Sequence, residues 1–392
     1  MADPIKRVEL RDGSVRYRFV VDIGRDPDTG KRKQLTKTFD RKAEAKAEYA
    51  RITHERDRGT YVRPTVLTVD EFLDQWLKSA TRDVEKATAA NYRDALLPVR
   101  QRLGGRRLQG LIESDVEDLV DWMLTEGRRR GGKPGSGLSV RSVQLSLGRL
   151  RTALNEAVRR QLVVRNVALY VGIPRAAAKA AAEARAERTP WTEAEVRTFL
   201  AGIKGERLYP VLLLSLMGLR PAEVCGLRWS DVDHAAGTLA AGKNTRTLVD
   251  GEVEEKSAKS VAGDRGLPMP EAVRASLKTF KATQAAEKLA AGEAYTGAGI
   301  YVLVDELGEP LRTDWLRRRA YELMAKVGVR KVRLYDARHA CLTYLAGLGV
   351  PDVVLAAWAG HADGGTLAKR VYVKPDLSHL KQAAEPLDKL FG

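Results

Sequence analysis

Arg220 and Glu223 stand three residues apart in Gly218-Leu219-Arg220-Pro221-Ala222-Glu223, directly after an apolar run. Proline fits a first helical turn, so this spacing predicts a helix opening at Pro221 with Arg220 held at its junction and Glu223 near the same face. Taken alone, the pair reads more readily as a surface ion pair than as a functional one. Four further segments bear on that choice. A strand pattern from Thr247 to Lys256 leads into a turn, Lys259-Ser260-Val261-Ala262-Gly263-Asp264-Arg265-Gly266-Leu267-Pro268. Tyr335-Asp336-Ala337-Arg338-His339 opens an apolar helical pattern, and Trp358-Ala359-Gly360-His361 precedes Tyr372 by eleven residues. An amphipathic segment, Leu377 to Phe391, ends the chain.

Two arginines, a lysine, a histidine and a tyrosine form a set suited to a phosphodiester. A phenol that attacks phosphorus makes a covalent ester, which stores the bond energy and needs no nucleotide. Guanidiniums stay charged and offer paired donors to the non-bridging oxygens on which the transition state places negative charge. An ordinary phenol has a pKa of about 10, so a nucleophilic tyrosine gains from a nearby base and a positive field.

In this order the segments resemble the catalytic domain of the tyrosine recombinase/integrase family, phage and mobile-element integrases included. Gly-Leu-Arg-x-x-Glu followed by Leu-Arg-Trp-x-Asp, matched from Gly218 to Asp231, is a highly specific box. The Lys-Ser-x-Ala-Gly-x-Arg…Leu-Pro turn is moderately specific. The Gly-His…Tyr box matches Gly360, His361 and Tyr372, with a spacing slightly longer than usual. The resemblance implies a site-specific recombinase that cuts and rejoins DNA through a 3′-phosphotyrosyl intermediate. It puts the catalytic arginines at Arg220 and Arg338, the proton donor to the leaving 5′-oxygen at Lys259, the acidic helper at Glu223, the last-box histidine at His361 and the nucleophile at Tyr372. One departure stands out, because the family's His-x-x-Arg box has Tyr335 at its first position here. A tyrosine does not readily replace a histidine base, so Tyr335 is expected to position the phosphate or Tyr372, and His339 to be structural. No cofactor or metal is implied. The expected partners are double-stranded DNA attachment sites, three further protomers in a homotetramer, a host DNA-bending protein and an excision factor. Two rival readings remain: a type IB topoisomerase-like relaxing enzyme, and a DNA-binding protein that has lost catalysis.

Those residues need elements to hold them, and the patterning supplies a multidomain fold. Residues 1–63 read as a small β+α unit, expected to bind arm-type DNA. Val15, Tyr17, Phe19 and Val21 alternate with Arg16, Arg18 and Val20, Asp26 to Gly30 forms a turn, Gln34 to Phe39 forms a second strand, and a charged helix runs from Arg41 to about Arg58. Residues 66–172 read as an all-α core-binding bundle. Its helices open at Thr68, about Ala89, Ser114 and Ser139, and the last carries Arg141, Arg149, Arg151, Arg159 and Arg160 on its polar side. The Ala, Arg, Lys and Glu of 173–190 offer little to bury and mark an interdomain linker with helical character. Thr192-x-x-Glu195 opens the catalytic domain, 191–392, mainly α with a small sheet or hairpin. The Leu377–Phe391 segment has an apolar stripe suited equally to its own domain or to a neighbour.

Composition agrees with these expectations. The 392 residues carry 67 Lys and Arg against 51 Asp and Glu, a net charge of +16. Basic residues occur in every segment, which favours a phosphate-binding surface over a single basic tail. Two cysteines give no disulfide framework or metal cluster and suggest a reducing compartment. The N-terminus lacks an apolar signal segment, and no run is long enough to span a bilayer. A cytoplasmic protein that joins the nucleoid when bound to DNA is expected.

Overall fold

Alternating apolar and polar residues build the first element group, three antiparallel strands in the order β1 (Ile5–Glu9), β2 (Val15–Arg25) and β3 (Arg32–Phe39). The computed structural model describes residues 3–369 except 11–12, 26–31, 129–131, 188, 258–263, 363 and 367–368. The expected turn at Asp26–Gly30 therefore lies outside the described residues. Phe19 pairs with Ile5 on one side and Lys37 on the other, and its ring stacks on Phe39 at 5.9 Å and meets Tyr49 edge-on at 5.4 Å. Helix α1 (Lys42–Asp57) buries Ala45 and Ile52 against this face. Burying a large side chain such as Phe19 or Ile52 is worth about 1.5–3 kcal/mol.

The next core is entirely helical: α2 (Val69–Ala80), α3 (Lys86–Leu103), α4 (Glu113–Thr125) and α5 (Val140–Arg159). Thr68 caps α2 reciprocally, accepting from Glu71 N–H while the Glu71 carboxylate accepts from Thr68 N–H. Phe72, Leu73, Leu96, Leu119, Leu147 and Leu150 meet in its centre. Helix α4 departs from the expected Ser114–Glu117 opening. It starts two residues earlier, with Ile112 in place of Ser114 as the cap, because the Asp115 carboxylate turns back to the Ile112 N–H at 3.2 Å and also pairs with Arg106. Arg151 departs too: rather than lying on the polar side it folds inward, donating to the carbonyls of Ala168 and Val171. Arg149 lies over the Tyr92 ring, 3.8 Å from its centroid. In the 173–190 segment, α6 (Arg175–Ala186) buries nothing, as its alanine-rich composition dictates.

The chain divides into two compact units at residues 185 and 186. The second opens with α7 (Glu193–Gly202), capped by Thr192 and Glu195, then α8 (Tyr209–Leu216) and α9 (Pro221–Gly226). Short strands β4 (Val232–Asp233), β5 (Thr238–Ala241), β6 (Asn244–Val249), β7 (Glu252–Ser257) and β8 (Arg265–Pro268) follow. They form an antiparallel sheet β4-β5-β8 and a separate hairpin β6-β7. The strand expected from Thr247 to Lys256 is thus two strands. Asp250 and Gly251 both take positive φ, 50° and 86°, and this Asp-Gly pair makes the tight turn that a hairpin of this twist needs. Helices α10 (Glu271–Ala291), α11 (Thr313–Val327), α12 (Leu334–Gly347) and α13 (Asp352–Ala359) complete the described part. The whole is a multidomain, mainly helical protein with small sheets. Among the described residues no helix is long and apolar enough to cross a membrane.

Candidate active site

The site is assembled around the break between α8 and α9. Helix α8 is apolar on all sides and buried from Pro210 to Ser215, so it runs through the core and delivers its C-terminal end to a fixed place. Gly218 then takes φ +107°, where a side chain would be strained, and a Cβ there would sit 3.3 Å from the Trp358 indole nitrogen. Two carbonyls at this break are held by other elements. Trp358 Nε1 donates to Met217 O at 2.8 Å, Cys341 Sγ to the same oxygen at 3.3 Å, and Arg338 Nη1 to Gly218 O at 2.7 Å.

Arg220 follows as the residue before α9. Glu223 reaches back to its main-chain N–H at 2.8 Å and to its Nη1 at 2.6 Å. This is not the surface pair that the spacing alone describes, because the Glu223 side chain is only 3% exposed while that of Arg220 is 31% exposed. The carboxylate also receives a second fork, absent from the sequence-based set of site residues. Arg265 Nη1 and Nη2 donate to its two oxygens at 3.2 Å each, and Arg265 Nε donates to Trp358 O at 2.6 Å. The only sequence signal was that Arg265 is the arginine of the lysine turn's pattern. Arg220 Nη2 lies 3.4 Å from Gly360 O.

Arg338 comes from the first half of α12 and is completely buried. Besides Gly218 O it donates to Ala359 O, and its Nη2 lies 3.5 Å from His361 Nε2. His361 N–H donates to Ala356 O, which ties the residue to the end of α13. Tyr335, one turn before Arg338, is 40% exposed, sits edge-on to the His339 ring at 5.2 Å and interacts electrostatically with both Arg220 and Arg338. His339 is half-buried, and loss of solvent lowers its pKa. Lys259 falls between β7 and β8, outside the described residues, as do Tyr372 and the Leu377–Phe391 segment.

Electrostatically the site is one carboxylate among three guanidiniums. Burial pushes Glu223 up, yet Arg265 and Arg220 outweigh it and hold the carboxyl below its usual range. Burial and the repulsion of Arg220 push Arg338 below the usual arginine range as well. A cluster with two positive charges in excess, partly shielded from water, is a site for an anion with several oxygens. The cysteines are set apart from this chemistry, since burial raises both Cys225 and Cys341 to about 12 and keeps them as thiols.

Comparison with known proteins bears on the whole chain. Residues 191–379 match the model of the phage integrase family. A tyrosine recombinase XerC-like protein of Caldanaerobacter subterraneus subsp. tengcongensis is 25% identical over 398 residues, which span 97% of this chain and 98% of that protein. Among solved structures, the Tn1549 transposon integrase in complex with transposon right end DNA superposes with a TM-score of 0.64 at 18% identity, over 82% of this chain and all of that one. A lambda integrase tetramer bound to a Holliday junction superposes with a TM-score of 0.54 at 17% identity, over 95% of each chain. Residues 191–379 belong to the phage integrase family, and the relatives matched along the chain support a tyrosine recombinase/integrase, a site-specific DNA recombinase.

Proposed function

We propose that the protein exchanges strands between two duplex DNA sites through a 3′-phosphotyrosyl bond formed at Tyr372. The observation that carries this reading is the cluster of Arg220, Arg265 and Arg338 around the single carboxylate of Glu223, with His361 beside Arg338. In this scheme Tyr372 attacks the scissile phosphorus, an oxygen–phosphorus bond forms as the phenol loses its proton, and the bond to the 5′-oxygen breaks. Lys259 gives that oxygen its proton. Arg220 and Arg338 bear the charge on the non-bridging oxygens, and His361 adds a donor beside them. Attack by the 5′-hydroxyl of the other duplex reverses the steps and frees Tyr372. Tyr335 positions the phosphate or Tyr372 by hydrogen bonding instead of serving as the base.

The same reading divides the labour along the chain. Residues 1–63 bind arm-type DNA, 66–172 grip the core site, 173–190 link, and 191–392 carry the chemistry. Four protomers assemble on two sites, in keeping with the tetramer formed by the lambda integrase neighbour. A host DNA-bending protein and an excision factor are further partners in this reading, and the reaction takes place on the nucleoid in the cytoplasm.

The test is trapping of the covalent adduct on a suicide duplex. Tyr372→Phe should give no adduct while still binding the duplex. An adduct that persists in this variant removes Tyr372 as the nucleophile.

A further inference from the structure

Arg265 is a buried side chain that touches both halves of the cluster. It sits at the start of β8, paired with Ala241 on β5, and its side chain is 7% exposed. Its fork closes on Glu223, and its Nε holds the carbonyl of Trp358, three residues before His361. Trp358 in turn holds Met217 O at the break before Arg220. Strand β8, the opening of α9 and the end of α13 are therefore joined through one guanidinium.

Its charge is as informative as its position. A carboxylate accepts about four hydrogen bonds, and Glu223 has four from two sources: the Arg220 main chain and Nη1, and the two Arg265 nitrogens. With Arg265 present, Glu223 orients Arg220 while its negative charge is already matched. Without Arg265, the same buried carboxylate would have Arg220 as its main counter-charge. It would draw that guanidinium inward and cancel the field that Arg220 offers an incoming phosphate.

We propose that Arg265 is a positioning residue of strand cleavage, which acts on Arg220 through Glu223 and on the His361 segment through the Trp358 carbonyl. It does not contact the DNA. The proposal rests on the cleavage reading given above.

The experiment compares the full-length protein with Arg265→Met and Arg265→Lys in single-turnover cleavage of two suicide duplexes. One duplex has an ordinary scissile phosphate and the other a neutral methylphosphonate at that position. Duplex affinity and thermal unfolding are measured alongside. Misplacement of a charge-stabilising group costs about 10²-fold, and Arg265→Met should lose that much on the phosphate while its duplex affinity is unchanged. Arg265→Lys keeps the charge without the fork and should lose less. On the methylphosphonate, where there is less charge for Arg220 to stabilise, most of the difference from the wild type should vanish. Equal losses on both duplexes, or losses that track weakened binding, make Arg265 a structural residue only and overturn the proposal. Wild-type rates in both variants overturn it as well. Tyr372→Phe, run in the same series, reports on the nucleophile independently of Arg265.

Discussion

Arg51 on α1 and Arg265 on β8 each make a two-pronged fork onto a glutamate. Arg51 Nε and Nη2 each reach Glu48 at 2.8 Å, and its Nη1 reaches Glu55 at 2.7 Å. Its contacts are shorter than the 3.2 Å pair that Arg265 makes. The surroundings differ far more than the geometry, because the Arg51 side chain is 49% exposed and that of Arg265 only 7%. In water the shorter fork competes with solvent and salt, and such pairs typically contribute less than about 1 kcal/mol. In the buried cluster neither partner can turn to water, so each is committed to the other. Short distances therefore do not identify the arginines that matter here; lack of solvent does.

Removing the buried carboxylate is the strongest way to break that contrast. Glu223→Ala leaves Arg265 and part of Arg220 without a counter-charge, and the full chain should lose about 3–5 kcal/mol in urea unfolding. A loss below that of an exposed pair would mean the cluster is wetter than its burial implies. Acid gives the same comparison by titration. The folded-state pKa of Glu223 is lowered, so its contribution is fully present above its unfolded value, about 4.3, and is lost as pH falls through the lower folded value. Glu48, pulled down to about 2 by Arg51 with Lys37 adding to it, follows the same sign. Salt should separate the two, since high ionic strength weakens the Glu48 pair and leaves the buried one largely intact.

Tyr335 stands between these extremes, exposed on one side and beside Arg220 on the other. Tyr335→Phe should slow single-turnover cleavage by roughly 1–2 kcal/mol, the worth of one hydrogen bond, and Tyr335→His should be tolerated. A loss of about 10²–10⁴-fold in the Phe variant, with duplex binding unchanged, would instead make the phenol a true acid–base group. The smallest effect belongs to Arg51→Ala, which should shift stability by less than about 1 kcal/mol and leave core-site cleavage at its wild-type rate. A larger shift would place the N-terminal fork in the same class as the buried one.

What the sequence determined by itself is what local physics controls. Thr68, Ser139 and Thr192 start helices because each hydroxyl accepts from a main-chain N–H only three residues on. The apolar stripe of α2 faces a core because its spacing follows the helical period. The ordered boxes around Arg220, Arg338 and His361 were specific enough to name the family. Even at short range some alternatives escaped it: Asp115 outcompeted Ser114 for the start of α4, and the Asp250-Gly251 turn cut one strand pattern into two. Only the tertiary structure decided which charges are matched inside the protein. Arg265 lies 42 residues from Glu223 and 93 from the Trp358 carbonyl, Arg338 lies 120 from the Gly218 carbonyl, and no periodicity links positions so far apart. Their pairing follows from burial, since a guanidinium cut off from water must find its acceptors among whatever main-chain and carboxylate oxygens the fold brings within reach.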